Sequence, residues 1–148
     1  MSRLDDISDD QINNYLDKYP QYRGCFSCME LKKMKPRKGI YIIKMDDRPL
    51  RLNEGTHWIM AQFELNRAIY FDPFGQLPNT ETLNFMEKAN KTMFCNTIDY
   101  QAINSHACGY FCILLAIQLF KGKRYEQAIK DFSNSVTENE KILYDYFK

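Results

Sequence analysis

Long apolar runs separated by short polar stretches dominate the pattern of this chain. The run at 39–45 predicts a short, largely buried strand, and the runs at 57–63 and 68–71 predict two further strands. The short polar stretch between the last two runs has a length suited to a β-hairpin. The most apolar segment, 107–120, carries apolar side chains all around a helix, so it predicts a buried central helix that Gly122 ends.

Weaker patterns add further elements on both sides of these runs. A capping box opens a first helix over 8–19, and a second helix is predicted over 80–90 with its first residue as the N-cap. The stretch 92–99 is rich in β-branched and aromatic residues and predicts another strand, whereas 24–38 has no clear period and is interpreted as irregular. Two C-terminal helices follow, the second opened by a capping box over 137–140.

These elements together predict an α+β fold in which a mixed or antiparallel sheet is covered by helices. The sequence contains no internal repeat and no stretch that resembles a linker. A chain of 148 residues is long enough to bury a core without disulfide or metal support. We therefore expect a single domain over 1–148.

Charge and apolar content narrow the class of protein. The net charge is +1, so no overall field favours nucleic acid or a membrane surface. No apolar run reaches the length of a membrane span, and the first residues are polar and acidic rather than signal-like. We therefore expect a protein that acts in a reducing, cytosol-like compartment and has no membrane partner.

The five cysteines are expected to be thiols rather than disulfides in such a compartment. Cys25 and Cys28 have the spacing of half a zinc site, but the second closely spaced pair that such a site needs is missing. A redox pair of the thioredoxin kind would require a preceding strand, and the pattern predicts none. We therefore expect no metal site and interpret the pair as partly buried thiols in a loop.

Residues with the chemistry of a cysteine protease stand at the ends of the predicted elements. His57 begins one strand of the hairpin and Asp72 follows the other, so the hairpin can place an imidazole beside a carboxylate that orients it. Cys108 lies in the first turn of the buried helix, where unpaired N–H groups and the helix dipole favour a thiolate. The amide of Gln101, seven residues earlier, can stabilise an oxyanion together with the backbone N–H of Cys108.

Each of these residues has a commoner structural explanation when it is taken singly. Asp72 before Pro73 is a turn signal, Gln101 is an ordinary loop residue, and a helix cysteine such as Cys108 is usually a core thiol. A lone histidine such as His57 is more often a bystander than a catalyst. Only their joint placement, at a hairpin end and a helix start, favours the catalytic interpretation.

Three further residues lie close to this set in the sequence. His106 is the rival candidate for the base. It lies two residues before Cys108, and residues with that spacing at the start of a helix face different sides. No carboxylate is evidently placed to orient it, so it is interpreted as a residue at the rim of the site. Trp58 can pack against the imidazole and exclude water, although a core role fits its position equally well. Gly109 permits a close approach of substrate backbone.

The segments 57–58, 70–75 (Tyr-Phe-Asp-Pro-Phe-Gly) and 101–112 together resemble adenain, the adenovirus maturation protease, and its relatives in virophages, Polinton-type elements and large DNA viruses. The resemblance covers about residues 39–120. It implies the adenain-like, papain-clan fold, with a sheet of about five strands flanked by helices. By position, the resemblance implies that His57 is the base and Asp72 the third member of the triad. It likewise implies that Gln101 is the oxyanion donor and Cys108 the nucleophile. Adenain has glutamate in place of Asp72.

The resemblance also implies a function. A viral cysteine endopeptidase of this kind cleaves capsid and core precursor proteins at glycine-containing sites during virion maturation. It would act as a monomer at the site of virus assembly, in the host cytoplasm or nucleus, and be packaged in the virion. The chemistry requires no cofactor.

Adenain is activated by a viral peptide, which bonds to a cysteine, and by DNA. Cys95 lies in roughly the region of that cysteine, although a strand thiol that faces the core is an equally good interpretation. The basic run at 32–38 is a candidate for nucleic acid contact, although a solvated loop is the commoner role of such a run. Its charged residues are Lys32, Lys33, Lys35, Arg37 and Lys38.

Two other functions remain open. A protease specific for SUMO or ubiquitin-like conjugates belongs to the same clan and has the same order of residues, but the spacing from Gln101 to Cys108 and the Asp-Pro-Phe-Gly segment resemble adenain more closely. A catalytically inactive binding or scaffold module could keep the fold, and the presence of all four groups argues against it.

Overall fold

The computed structural model describes residues 4, 6–45, 57–101 and 105–148, and all structural statements refer to these residues. They contain five strands: β1 (Tyr22–Ser27), β2 (Gly39–Lys44), β3 (Trp58–Phe63), β4 (Arg67–Phe71) and β5 (Thr92–Cys95). The α-helices are α1 (Asp9–Leu16), α2 (Thr80–Glu87), α3 (Cys108–Phe120), α4 (Tyr125–Ala128) and α5 (Val136–Phe147). Short 3-10 turns span Cys28–Lys33 and Ile129–Asp131.

The five strands form one mixed sheet in the order β1-β2-β3-β4-β5. The two outer pairs, β1 with β2 and β4 with β5, are parallel, while β2, β3 and β4 are antiparallel. This arrangement confirms the predicted α+β class, with a sheet of five strands and helices on it. The hairpin predicted between the second and third apolar runs is the β3–β4 pair.

Both faces of the sheet are buried, which explains why its central strands are almost continuously apolar. On β2, Ile40 and Ile42 pack in the core beneath α1 and α3, while Tyr41 and Ile43 pack in a second core beneath α2 and the first 3-10 turn. Helix α3 itself is buried along most of its length, as predicted, and Gly122 follows it with a φ of +102° that suits a helix C-terminus.

The prediction of an irregular segment over 24–38 is wrong, because this stretch contains most of β1 and a 3-10 turn. Strand β1 is the edge of the sheet, and all of its residues except Ser27 are only partly buried. Its sequence therefore lacks the apolar run that marks β2, and its pairing depends on β2 rather than on its own pattern. Ser27 then opens the 3-10 turn with a capping box to Glu30.

Cys25 and Cys28 do not lie together in a loop, as the sequence indicated. Cys25 belongs to β1 and Cys28 begins the 3-10 turn, so the first cysteine lies within a strand that the sequence pattern did not predict. Cys25 packs against the core beneath α3, whereas Cys28 is buried in the core on the other face. Burial, despite a 3.1 Å contact with the hydroxyl of Tyr22, raises the pKa of Cys25 to about 12. All five cysteines lie in the described residues and are outside any disulfide, which agrees with the prediction of thiols.

Two of the predicted helix caps are displaced by one or two residues. The capping box of α1 at Ser8 is confirmed, but α2 is capped by Asn79 rather than Thr80, and α5 by Ser135 rather than Thr137. An N-cap needs an extended backbone and a side-chain oxygen, and neighbouring polar residues offer equivalent oxygens in the sequence. Among the described residues no helix is long and apolar enough to cross a membrane.

Candidate active site

The β3–β4 hairpin brings His57 and Asp72 into direct contact. His57 immediately precedes β3 and Asp72 immediately follows β4, and the antiparallel register places these ends side by side. The Nε2 atom of His57 lies 2.8 Å from Oδ1 of Asp72, which is almost completely buried. This hydrogen bond leaves Nδ1 as the free ring nitrogen, and Nδ1 is buried without a nitrogen or oxygen partner among the described residues.

Asp72 is held in place by its own turn and by a residue that the sequence reasoning missed. The backbone N–H of Phe74 donates to Oδ1 of Asp72 at 2.8 Å. The buried side chain of Asn96, just after β5, accepts from the N–H of Asp72 at 2.8 Å and donates to its carbonyl at 2.7 Å. Asn96 thus forms hydrogen bonds with the backbone of Asp72 as a neighbouring strand would. The sequence gives no sign of this role, because an Asn in a polar stretch is usually an ordinary loop residue.

Cys108 begins α3 and lies against the start of β3. Its Sγ atom accepts a hydrogen bond from the backbone N–H of Trp58 at 3.3 Å, and the residue is 3% exposed. Ala107, at the N-cap, provides no side-chain cap, and the first turn of α3 contains no acidic residue. Backbone donors and the positive end of the helix dipole therefore face the Sγ atom of Cys108.

His57 is the group whose protonation the site changes most clearly. Burial lowers its pKa, but the hydrogen bond to Asp72 and the interaction with Cys108 outweigh burial and raise the pKa to about 9. The imidazole is therefore positively charged at neutral pH. A positive imidazolium beside the thiol of Cys108 is the arrangement that cysteine nucleophiles require.

Gln101 is completely buried in the segment that leads to α3. Its Nε2 donates to the carbonyl of Ser105 at 2.9 Å, and its backbone N–H donates to the carbonyl of Pro73 at 3.2 Å. The second contact joins this segment to the turn that carries Asp72. One hydrogen atom of the amide nitrogen remains for another acceptor, so the predicted oxyanion role of Gln101 stays a prediction.

The expectation that no carboxylate orients His106 is wrong. Its Nδ1 atom lies 3.0 Å from Oδ1 of Asp6, and 54% of its side chain is exposed. Each histidine therefore has a carboxylate partner, and His57 in addition interacts with Cys108. The environment of His106 is that of a surface ion pair.

The structure assigns Trp58 and Gly109 to packing against the N-terminal segment. The indole Nε1 donates to the carbonyl of Ile7 at 3.1 Å, and a Cβ atom on Gly109 would lie 2.2 Å from Cγ2 of Ile7. Packing against Ile7 therefore requires a glycine at this position, and the approach of substrate backbone to Gly109 stays a prediction. The ring that packs against the His57 imidazole is that of Phe74, with the ring centres 4.9 Å apart.

The residues named for regulation make no hydrogen bond to His57, Asp72 or Cys108 that the described residues show, although Cys95 directly precedes Asn96, which bonds to the backbone of Asp72. Cys95 ends β5 and packs against the core on the face opposite α3, where burial raises its pKa. The basic residues of the run at 32–38 are all exposed, and the run leads into the start of β2. His57 is next to the other end of β2, since its carbonyl accepts from the N–H of Met45.

The chain matches no protein-family model and no curated protein sequence. Among solved structures it is similar to the ASFV pS273R protease, with a TM-score of 0.58 and 14% identity over 89% of this chain. A selenomethionine form of the same protease gives a TM-score of 0.55, also at 14% identity over 89% of the chain, and 62% of that protease is covered. The SUMO protease Ulp1, with its catalytic cysteine oxidised to a sulfenic acid, has a TM-score of 0.43 at 16% identity, over 93% of this chain and 75% of Ulp1.

These comparisons concern the fold. This chain spans 61% of the length of the ASFV protease, so that protein is considerably longer. They provide no support for a virophage or Polinton origin, which stays a prediction. The mixed five-stranded sheet with flanking helices seen in the described residues is thus similar in fold to the ASFV pS273R protease.

Proposed function

We propose that this chain is a cysteine endopeptidase with Cys108 as nucleophile, His57 as acid and base, Asp72 as orienting carboxylate, and Gln101 as oxyanion donor. One observation carries the proposal: the 2.8 Å contact between His57 and Asp72 lies beside the Cys108 thiol at the start of a buried helix. A bystander histidine would not be expected to have a buried carboxylate on one nitrogen and a cysteine as its next electrostatic partner.

The acylation step follows from this arrangement. The Cys108 thiolate attacks the scissile carbonyl carbon, and the carbonyl oxygen becomes an oxyanion facing the N-terminus of α3 and the amide of Gln101. The imidazolium of His57 then donates its Nδ1 proton to the leaving amine as the C–N bond breaks. Asp72 keeps the ring in position throughout, and a thioester on Cys108 remains.

Deacylation uses the same groups in the opposite sense. The now neutral imidazole of His57 takes a proton from a water molecule that attacks the thioester carbonyl. The C–S bond breaks, the new carboxylic acid is released, and the thiolate and imidazolium are restored. No further cofactor is needed for either half of the reaction.

The proposed substrates are viral structural precursor proteins, cleaved at glycine-containing sites during assembly. The motif resemblance to adenain and the fold shared with a viral protease support this choice. We accordingly propose that the protein acts as a monomer where virions assemble, in the host cytoplasm or nucleus, and is packaged with them. Activation by a peptide at Cys95 or by DNA at the basic run belongs to the same proposal.

Co-expression with the structural proteins encoded beside it tests the proposal. Mass spectrometry of the new protein ends should find cleavage next to glycine with the wild-type chain and none with Cys108→Ala. The same two chains are incubated with SUMO and ubiquitin conjugates. Release of those modifiers without cleavage of structural proteins would replace the endopeptidase by a deconjugating enzyme, and no cleavage of either kind would indicate an inactive module.

A further inference from the structure

Two consecutive residues of α5 contact both ends of the segment that carries Gln101. The side-chain nitrogen of Asn139 donates to the carbonyl of Tyr100 at 3.1 Å. The carboxylate of Glu140 accepts from the hydroxyl of Ser105 at 2.6 Å. Helix α5 follows the region that carries the protease motifs, so nothing in those motifs points to it.

The carboxamide of Asn139 is fixed in the orientation that reaches this segment. Asn139 is fully buried, its oxygen accepts from the N–H of Ser133 at 2.7 Å, and its nitrogen donates to the Ser133 carbonyl at 2.8 Å. Leu143, one turn further along α5, is fully buried in the core that contains α3. The hydrogen bonds to Ser133 and the packing of Leu143 therefore hold Asn139 in this position.

Ser105 connects Glu140 with both parts of the proposed oxyanion hole. Its hydroxyl accepts a 3.1 Å hydrogen bond from the N–H of Ala107, the residue before Cys108. Its carbonyl accepts the 2.9 Å hydrogen bond from the amide of Gln101. A hydroxyl that donates its proton to a carboxylate keeps its lone pairs for other donors, so Glu140 determines how Ser105 faces Ala107.

We propose that Asn139 and Glu140 are positioning residues that hold the oxyanion hole from α5. The inference rests on the proposed function, because it assumes that Gln101 and the start of α3 stabilise an oxyanion. Donors to an oxyanion are effective when they are in place before the reaction. Loss of the α5 contacts should therefore slow acylation while the Cys108 and His57 pair keeps its properties.

The experiment compares Glu140→Ala with Glu140→Gln and with Lys141→Ala. Lys141 is the next residue of α5 and is exposed, and its ion-pair partner among the described residues is the exposed Asp145 on the same helix, so it is the matched control. Peptide cleavage is measured as kcat and KM. Alkylation of Cys108 by chloroacetamide, located by mass spectrometry, measures the thiolate in a reaction that develops no oxyanion.

Glu140→Ala should lower kcat by about tenfold or more with little change in KM, below the roughly 10²–10³-fold cost of removing a donor itself. Glu140→Gln should restore most of the loss, because its amide oxygen still accepts from Ser105. Lys141→Ala should match the wild type. The rate and pH dependence of Cys108 alkylation should be the same in all of these variants.

A double-mutant cycle and hydrogen exchange make the result decisive. Ser105→Ala combined with Glu140→Ala should cost about as much as either change alone, because both break one connection. Amide exchange of Gln101 and Ala107 should be faster in Glu140→Ala than in Lys141→Ala. Asn139→Ala, a fully buried site, is interpreted only where thermal unfolding shows a folded protein.

Full activity of Glu140→Ala, or a parallel loss of cleavage and alkylation, would overturn the positioning role. If the wild-type chain cleaves no peptide or precursor, the proposed function fails instead. The exchange measurement separates these cases, because it reports whether α5 holds Gln101 and Ala107 in place without any catalysis. Unchanged exchange in Glu140→Ala would overturn the inference by itself.

Discussion

The charge on His57 is decided by its immediate neighbours. The side chain is largely buried, which would favour a neutral ring, yet Asp72 and Cys108 raise its pKa to about 9. Each pKa unit corresponds to about 1.4 kcal/mol of preference for the charged form, so the imidazolium is the resting state at neutral pH. Three predictions follow from single residues at this site.

The first prediction concerns the pH dependence of kcat/KM for peptide cleavage. The proposed acid is the imidazolium, which is present below its pKa and lost above it, so kcat/KM should fall as pH rises through about 9. Asp72→Asn removes the largest influence that raises this pKa, and the fall should therefore occur at lower pH. Its cost at neutral pH should be smaller than that of losing His57. If kcat/KM of Asp72→Asn fell at the same pH as that of the wild type, the proposed role of the carboxylate would be contradicted.

The second prediction separates the two histidines. His57→Ala should reduce peptide cleavage by roughly 10²–10⁴-fold, the usual contribution of an acid–base group, and Cys108→Ala should reduce it to background. His106→Ala should retain most of the activity, because its exposed pair with Asp6 lies outside the proposed chemistry. An inactive His106→Ala beside an active His57→Ala would reverse the assignment.

The third prediction concerns Asn96, which directly follows β5 and forms hydrogen bonds with the backbone of Asp72. Asn96→Ala leaves a buried N–H and carbonyl of Asp72 without these partners and should cost about 1–3 kcal/mol of stability. It should also shift the basic limb of kcat/KM to lower pH, because Asp72 loses its position beside His57. The exposed neighbour Thr97 provides the control variant Thr97→Ala. If Asn96→Ala lost stability but kept the pH dependence of kcat/KM, the role of Asn96 would be structural alone.

At the scale of the elements, the segment before α1 is packed onto the start of α3. Ile7 is almost completely buried, and it contacts Gly109 where any side chain would collide with it. The carbonyl of Ile7 also accepts from the indole of Trp58. The N-terminal segment, α3 and β3 therefore meet next to Cys108.

Gly109→Ala should destabilise the protein by about 1–3 kcal/mol, the usual cost of overpacking, as measured by denaturant unfolding. Ile7→Ala alone should cost about 2–5 kcal/mol through the cavity it leaves. Because the first change fills space that the second vacates, the double variant should be more stable than the sum of the two effects predicts. Additive costs would show that Ile7 and Gly109 do not share this space.

At the scale of the whole molecule, the active site and the basic run lie at opposite ends of β2. The net charge is close to zero, so the run at 32–38 is a local feature rather than part of an overall positive field. This separation makes the two proposed activities independently testable.

Replacing the five basic residues of the run by Gln should abolish binding to duplex DNA in a fluorescence anisotropy titration. If all five contact phosphates, the wild-type affinity should fall with salt with a log–log slope of about −4.5. Peptide cleavage without DNA should be unchanged in the Gln variant. Equal DNA binding by the two proteins would assign the run to an ordinary solvated surface.

The sequence predicted more of the centre of the molecule than of its edges. The apolar runs of β2, β3 and α3 are buried on all sides, so their patterns are strong and their elements are confirmed. Strand β1 and the caps of α2 and α5 were missed or displaced, because an edge strand is stabilised by its neighbour and adjacent polar residues compete as caps.

The identity and order of the proposed reacting groups follow from the sequence alone, since covalent chemistry belongs to residue types and a hairpin is a local structure. Only the tertiary structure decides what surrounds them. The partners of the site come from distant parts of the chain, with Asn96 at the end of β5, Ile7 before α1, and Asn139 and Glu140 on α5. Contacts between residues so far apart in the chain depend on packing, which no local pattern encodes.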